Sequence, residues 1–118
     1  GMFKVVNASL MSAVVKGPLA VQYVIGAWVE AQIGGLFVFE SLQSAKDFVL
    51  KARVICGHKY LRIFSCTCEE EVPLALLSST MVREDVLAAW AGEKGHEIQV
   101  EGALAYKRVK LEEEVRYA

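Results

Sequence analysis

Apolar and polar positions change rhythm several times along this chain, most sharply across Gly34-Gly35-Leu36-Phe37-Val38-Phe39-Glu40-Ser41-Leu42. Leu36 to Phe39 is apolar without alternation, which predicts a strand covered on both faces. Ser41 is placed to cap a helix, its hydroxyl accepting a bond from an orphan amide of the first turn. Leu42, Ala45, Phe48, Val49 and Ala52 then recur at helical spacing and make one apolar stripe. Lys51 and Arg53 at the far end suit the helix macrodipole. The segment 34–52 therefore predicts a glycine turn, a buried strand and an amphipathic helix with its apolar side turned inward.

Elsewhere the pattern is mostly of strands. Phe3 to Val6 is aromatic and β-branched and predicts one. Asn7 to Lys16 suits two short strand pieces before Gly17-Pro18. Val21 to Ile25 predicts a strand closed by Gly26, and Ala27-Trp28-Val29 a short one. Arg53 to Cys56 predicts a strand, Gly57-His58-Lys59 a turn, and Tyr60 to Cys68 a longer strand that Glu69-Glu70-Glu71 ends in solvent. Val72 to Ser79, with Pro73, predicts a loop or single turn. Thr80 caps a second helix through Ala91, with Val82, Val86, Leu87 and Trp90 on its buried face and Gly92 at its exit. Glu97 to Leu111 returns to strand around Gly102, and Glu112-Glu113-Glu114 makes a charged end. Hairpin-like spacings outnumber regular βαβ alternation. The expectation is an α+β domain: a mostly antiparallel sheet of about five or more strands with two helices packed on it.

Tyr23-Val24-Ile25-Gly26-Ala27-Trp28-Val29, then Gly35-Leu36-Phe37-Val38-Phe39-Glu40-Ser41-Leu42, then Ala45 and Phe48, resembles a pattern of small uncharacterised phage and prokaryotic proteins. That pattern is a tyrosine strand ending in glycine, a Gly-Leu-Phe-Val-Phe strand and a helix opening Ser-Leu-x-x-Ala. Its positions are structural, and the resemblance implies no activity. A looser similarity, in strand-helix order alone, is to compact ADP-ribosyltransferase-like domains. Such enzymes hold NAD through an Arg or His and a glutamate motif, which are not identifiable in this chain.

Composition narrows the classes. The chain has 118 residues, 54% hydrophobic and 23% charged, with a formal net charge of −1. That length fits one domain, residues 2–118, with Gly1 before Met2 read as a remnant of an expression tag. No run of Lys or Arg exceeds a pair, so the basic stripe of a nucleic-acid binder is missing. Val5 to Val15 is apolar but short and interrupted by Asn7, Ser9 and Ser12, unlike a span of roughly 20 apolar residues. Three cysteines, an odd number, suit reduced thiols. The expectation is a cytoplasmic chain with neither nucleic acid nor membrane as partner.

Candidate chemistry is sparse. Cys56-Gly57-His58 and Cys66-Thr67-Cys68 are zinc-ligand types, but a hairpin turn at Gly57–Lys59 would leave Cys66 about 20 Å from it at strand rise. Cys66 and Cys68 share one strand face, with α-carbons roughly 6.5–7 Å apart, where a disulfide prefers about 5.5–6 Å. The ordinary reading is two small apolar side chains packed beneath a helix; the sharper one is a strained, labile redox pair. His58 and His96 lie in predicted turns without a nucleophile context. Gly34-Gly35 is not a phosphate loop, since no Walker or dinucleotide spacing follows. Tyr23, Trp28 and Glu40 gather in sequence around that turn and define a candidate pocket. No catalytic, cofactor-binding or metal-binding set emerges, and no cofactor is assigned.

The function expected from these features is a non-enzymatic interaction or accessory module, with a homodimer as its simplest assembly because little net charge keeps copies apart. The alternative is a small ligand-binding protein or enzyme with a cleft near Gly34-Gly35.

Overall fold

The structure, a computed structural model, describes residues 1–12, 21–31, 34–56, 60–72 and 102–116. Its longest strands, β4 (Leu61–Val72) and β5 (Ala103–Val115), pair antiparallel from Val72 beside Ala105 to Ile63 beside Val115. On the other edge of β4 lies β1 (Met2–Asn7), running from Met2 beside Cys66 to Asn7 beside Leu61. The other edge of β5 takes two strands end to end. Against its start lies β3 (Leu36–Phe39), with Phe39 beside Ala103, and further along lies β2 (Trp28–Glu30), with Trp28 beside Lys110. Phe3 beside Phe39 joins β1 to β3, so the pairings run in a closed circuit through β5, β3, β1 and β4. All five strands form one antiparallel sheet.

Among the described residues one helix, α1 (Leu42–Cys56), packs on this sheet. The Ser41 hydroxyl accepts the Ser44 amide at 3.1 Å, satisfying an otherwise orphan donor, and the Ser41 carbonyl takes the first helical bond from Ala45. Ala45, Val49 and Ala52 of the helix bury against Val5, Phe39, Leu61, Ile63 and Ala103, with Leu42 and Phe48 packed alongside. The Phe39 and Phe48 rings meet at 5.2 Å between centroids. The strand-to-helix change across 34–52 and its inward apolar stripe are therefore as the sequence pattern predicts.

A second apolar cluster lies on the opposite face. Val6, Tyr23, Leu36, Val38, Phe64, Cys66, Val109 and Leu111 form it, and Val29 and Ala31 pack at its margin. Alternation along β1 and β4 feeds both clusters: Val5, Leu61 and Ile63 face the helix, while Val6, Phe64 and Cys66 face away. An irregularity in β5 opposite Phe64–Cys66 adds one residue there. Leu111 and Val115, which strict alternation would put on one face, therefore enter different clusters. The Ser65 hydroxyl fills the irregular step by accepting the Glu113 amide at 3.2 Å. Two glycines permit close approach. A Cβ on Gly35 would stand 2.6 Å from Val72, and Gly102, with φ +77°, sits against Ser44 at the helix start.

Several sequence expectations need correction. Val21 to Ile25 is not a strand: only Gln22 pairs, in an isolated bridge to Met11, and Ile25 and Gly26 form a turn. The chain leaves β1 at Asn7, whose side-chain oxygen accepts the amides of Ser9 and Met11. Arg53 to Cys56 continues α1, since adding a residue to an existing helix is far easier than opening a new element. Glu69-Glu70-Glu71 and Glu112-Glu113-Glu114 do not end their strands; both runs stay in the β4–β5 ribbon, where carboxylates find cross-strand cations. The helix expected over Thr80–Ala91, the turn at Gly57–Lys59 and the loop beyond Val72 lie outside the described residues. Among the described residues no helix is long and apolar enough to cross a membrane.

The cap is separable from the packing of α1. Ser41→Ala should lower stability by about 1 kcal/mol in urea unfolding, while Ser41→Thr should recover most of it. Equal stability of all three would show that the Ser41 hydroxyl contributes nothing.

Candidate functional site

The apolar cluster away from the helix contains polar groups of a kind that rarely enter a core. Lys4 of β1 is only 7% exposed, although its neighbours in the strand are Phe3 and Val5. Its ammonium donates to the Phe37 carbonyl of β3 at 2.5 Å and stands 5.3 Å from the centre of the Tyr23 ring. β1 and β3 pair at Phe3 and Phe39, and the Lys4 side chain bridges between the same two strands next to that pair. Tyr23, 1% exposed, presents a ring face to the cation while its own hydroxyl has no hydrogen-bond partner among the described residues. Burial, with the nearby thiols adding to it, pushes that phenol above its ordinary value.

Cys66 and Cys68 complete the group. Both are free, both project from the same face of β4, and their sulfurs are 3.8 Å apart. The hydrogen bond between them drives the thiols in opposite directions: together with burial it raises Cys66, and it lowers Cys68, where burial opposes the effect and the Lys4 charge adds to it. Burial pulls Lys4 down from 10.5 to about 8, against the opposing pull of the two thiols. The cluster is therefore an ammonium, a phenol and a dithiol in mutual electrostatic contact, walled by Val6, Phe64, Val109 and Leu111.

The residues singled out in sequence separate in space. Tyr23 is buried in this cluster, whereas Trp28 is exposed on β2 with the Lys110 ammonium 5.1 Å from its ring centre. Glu40 is exposed at the end of β3, its amide bonded to the Gly102 carbonyl. Trp28 lies opposite residue 110 and Glu40 beside residue 102, so they stand roughly 25 Å apart along β5 at about 3.3 Å per residue. β2 and β3 run the same way, end to end along β5, so the glycine turn expected at Gly34-Gly35 does not fold them face to face. Cys66 and Cys68 do come together, but on the face opposite α1 rather than beneath it, because Leu61 and Ile63 occupy the helix-facing positions of β4. The side chain of Cys56, together with His58 and His96, lies outside the described residues. Among those described, no group of three or more His, Cys, Asp or Glu is placed to hold a metal ion.

Lys4 is the site residue that reading by composition misses. Its signal is positional: two-residue alternation puts it on the face of Met2 and Val6, where a charge has no ordinary place.

Across β5 from Cys66 and Cys68 lies a surface of different character. Among the described residues β2 is the outer strand of the sheet, and Val24, Ile25 and Trp28 are 57%, 48% and 42% exposed. Arg108 is flanked there by Glu30, Glu69 and Glu70 at 3.4, 3.9 and 2.5 Å. These are solvent-facing pairs, each worth at most about 1 kcal/mol.

Compared with known proteins, the chain matches no family model, no curated protein and no solved structure. Function must be argued from the geometry.

The buried amine makes stability depend on pH. The folded value of Lys4 lies below its unfolded one, so between about pH 8 and 10.5 the unfolded chain holds the extra proton and the Lys4 contribution to stability rises with pH. Tyr23 and Cys66, held above their ordinary values, act oppositely at the top of that window. Comparison with Lys4→Met isolates the lysine. The stability of the variant relative to wild type should fall by roughly 3 kcal/mol between about pH 7 and pH 10.5 in urea unfolding. A difference independent of pH would mean that Lys4 keeps an ordinary value in the fold.

Proposed function

We propose that this chain is a cytoplasmic, non-enzymatic interaction module that works as a homodimer joined through the outer edge of β2. The edge of Trp28–Glu30, unpaired among the described residues and beside exposed Val24 and Ile25, carries this reading. An unpaired strand edge is a template for another strand, and a two-fold pairing satisfies both copies at once. Reduced Cys66 and Cys68, close but unbridged, favour the cytoplasm.

Backbone polarity selects the register. The Ala31 amide donates to the Lys107 carbonyl, so Ala31 and Val29 direct their backbone groups at β5. Trp28 and Glu30 then direct theirs outward. An antiparallel pair centred on Val29 places Trp28 opposite the partner's Glu30 in a hydrogen-bonded pair. Lys110, lying on the Trp28 ring, meets that incoming carboxylate. The edge is therefore complementary to itself in charge as well as in hydrogen bonding.

Light scattering after size exclusion should give a dimer for the wild type. Glu30→Lys, which sets lysine against Lys110 twice in each dimer, should raise the dissociation constant at least about tenfold, and Glu30→Lys/Lys110→Glu should restore it. A strictly monomeric wild type at high concentration, or a Glu30→Lys variant that dimerises unchanged, would overturn the proposal.

A further inference from the structure

We infer that Cys66 and Cys68 form a reversible, hydroperoxide-sensitive dithiol, with Cys68 the attacking sulfur, Cys66 the resolving one and Lys4 their positioning countercharge. The inference rests on the interior cluster and is independent of the edge of β2.

Geometry divides the roles. The two sulfurs are 3.8 Å apart on one face of β4, close enough for a bond to form with a small side-chain rotation. Cys68 is partly exposed, so a small peroxide reaches it, whereas Cys66 is 7% exposed and meets only its neighbour. Lys4 holds positive charge against both sulfurs and is fixed by the Phe37 carbonyl. The hydrogen bond from the other sulfur and the Lys4 charge pull Cys68 downward against its partial burial, in the direction of the thiolate, the form that reacts. Tyr23, Phe64 and Leu111 close off the Cys66 side and keep larger thiols from the resolving position.

The chemistry balances as follows. The Cys68 thiolate attacks the terminal peroxide oxygen; an S–O bond forms, the O–O bond breaks, and the alkoxide leaves as alcohol after taking a proton from solvent. Cys66 gives its proton to the departing hydroxyl and attacks the Cys68 sulfur; an S–S bond forms and water leaves. The sulfurs lose two electrons and the hydroperoxide gains them. Neighbours two apart in a strand sit near the upper limit of disulfide spacing, so the bridge is strained and a dithiol reductant reopens it.

Tryptic mapping of the full chain tests this directly, because residues 63–83 form one peptide that holds Cys66 and Cys68 but not Cys56. After stoichiometric hydrogen peroxide that peptide should be two daltons lighter, and dithiothreitol should reverse the change. In Cys66→Ser, dimedone should trap a sulfenic acid at Cys68; in Cys68→Ser, Cys66 should stay unlabelled. Lys4→Met should slow the reaction about tenfold and move the alkylation pH profile of Cys68 upward, a shift that mere loosening of the fold would not produce. A peptide of unchanged mass in folded protein, equal labelling in both serine variants, or an unmoved pH profile in Lys4→Met would overturn the corresponding role.

Discussion

Between Val72–Ala105 and Ile63–Val115, β4 and β5 exchange the hydrogen bonds on which the other described elements build. Each strand has two edges, and both are used. β4 gives its free edge to β1, and β5 gives its own first to β3 and then to β2. The single extra residue of β5 near Glu112–Glu113 matters out of proportion to its size. It puts Leu111 with Tyr23 and Cys66 and Val115 on the helix side, although the two stand four residues apart in one strand.

Buried charge is the main tension within this frame. An ammonium removed from water is penalised by several kcal/mol unless its surroundings replace the lost hydration. Around Lys4 the replacement is partial: one carbonyl, one ring face and a dithiol. The amine responds by holding its proton less tightly, and the sulfurs by sharing theirs unequally. The exposed ion pairs of Arg108 and Arg62 involve more charges yet contribute little, because water competes for each of them. Chemical potential in this molecule is concentrated where solvent is scarce.

Association and thiol chemistry occupy different parts of the sheet. The open edge lies along β2, and the dithiol projects from β4, with β5 running between the two strands. Val29 and Ala31 of β2 nevertheless pack at the margin of the same cluster that holds Cys66. The interior thus touches the back of the strand whose front is open.

Much of the local structure was legible from consecutive residues. The Ser41 cap, the stripe Leu42–Ala45–Phe48–Val49–Ala52 and the strand Leu36–Phe39 follow from capping chemistry and periodicity, which act over a few positions. Errors arose where distant partners outweighed local preference. Glu69–Glu71 stayed in a strand because Arg108 and Tyr106 met them from β5, and among the described residues Val21–Ile25 pairs only in the isolated bridge of Gln22 to Met11. The clustering of Tyr23, Trp28 and Glu40 in sequence dissolved once the register against β5 separated two of them. Lys4 showed only as a charge out of phase with its strand. Its meeting with Tyr23, Phe37 and the thiols joins residues up to 64 positions apart (4 to 68), and depends on which strands become neighbours. Strand neighbourhood is a property of the closed circuit of pairings, to which no short stretch of residues is sensitive.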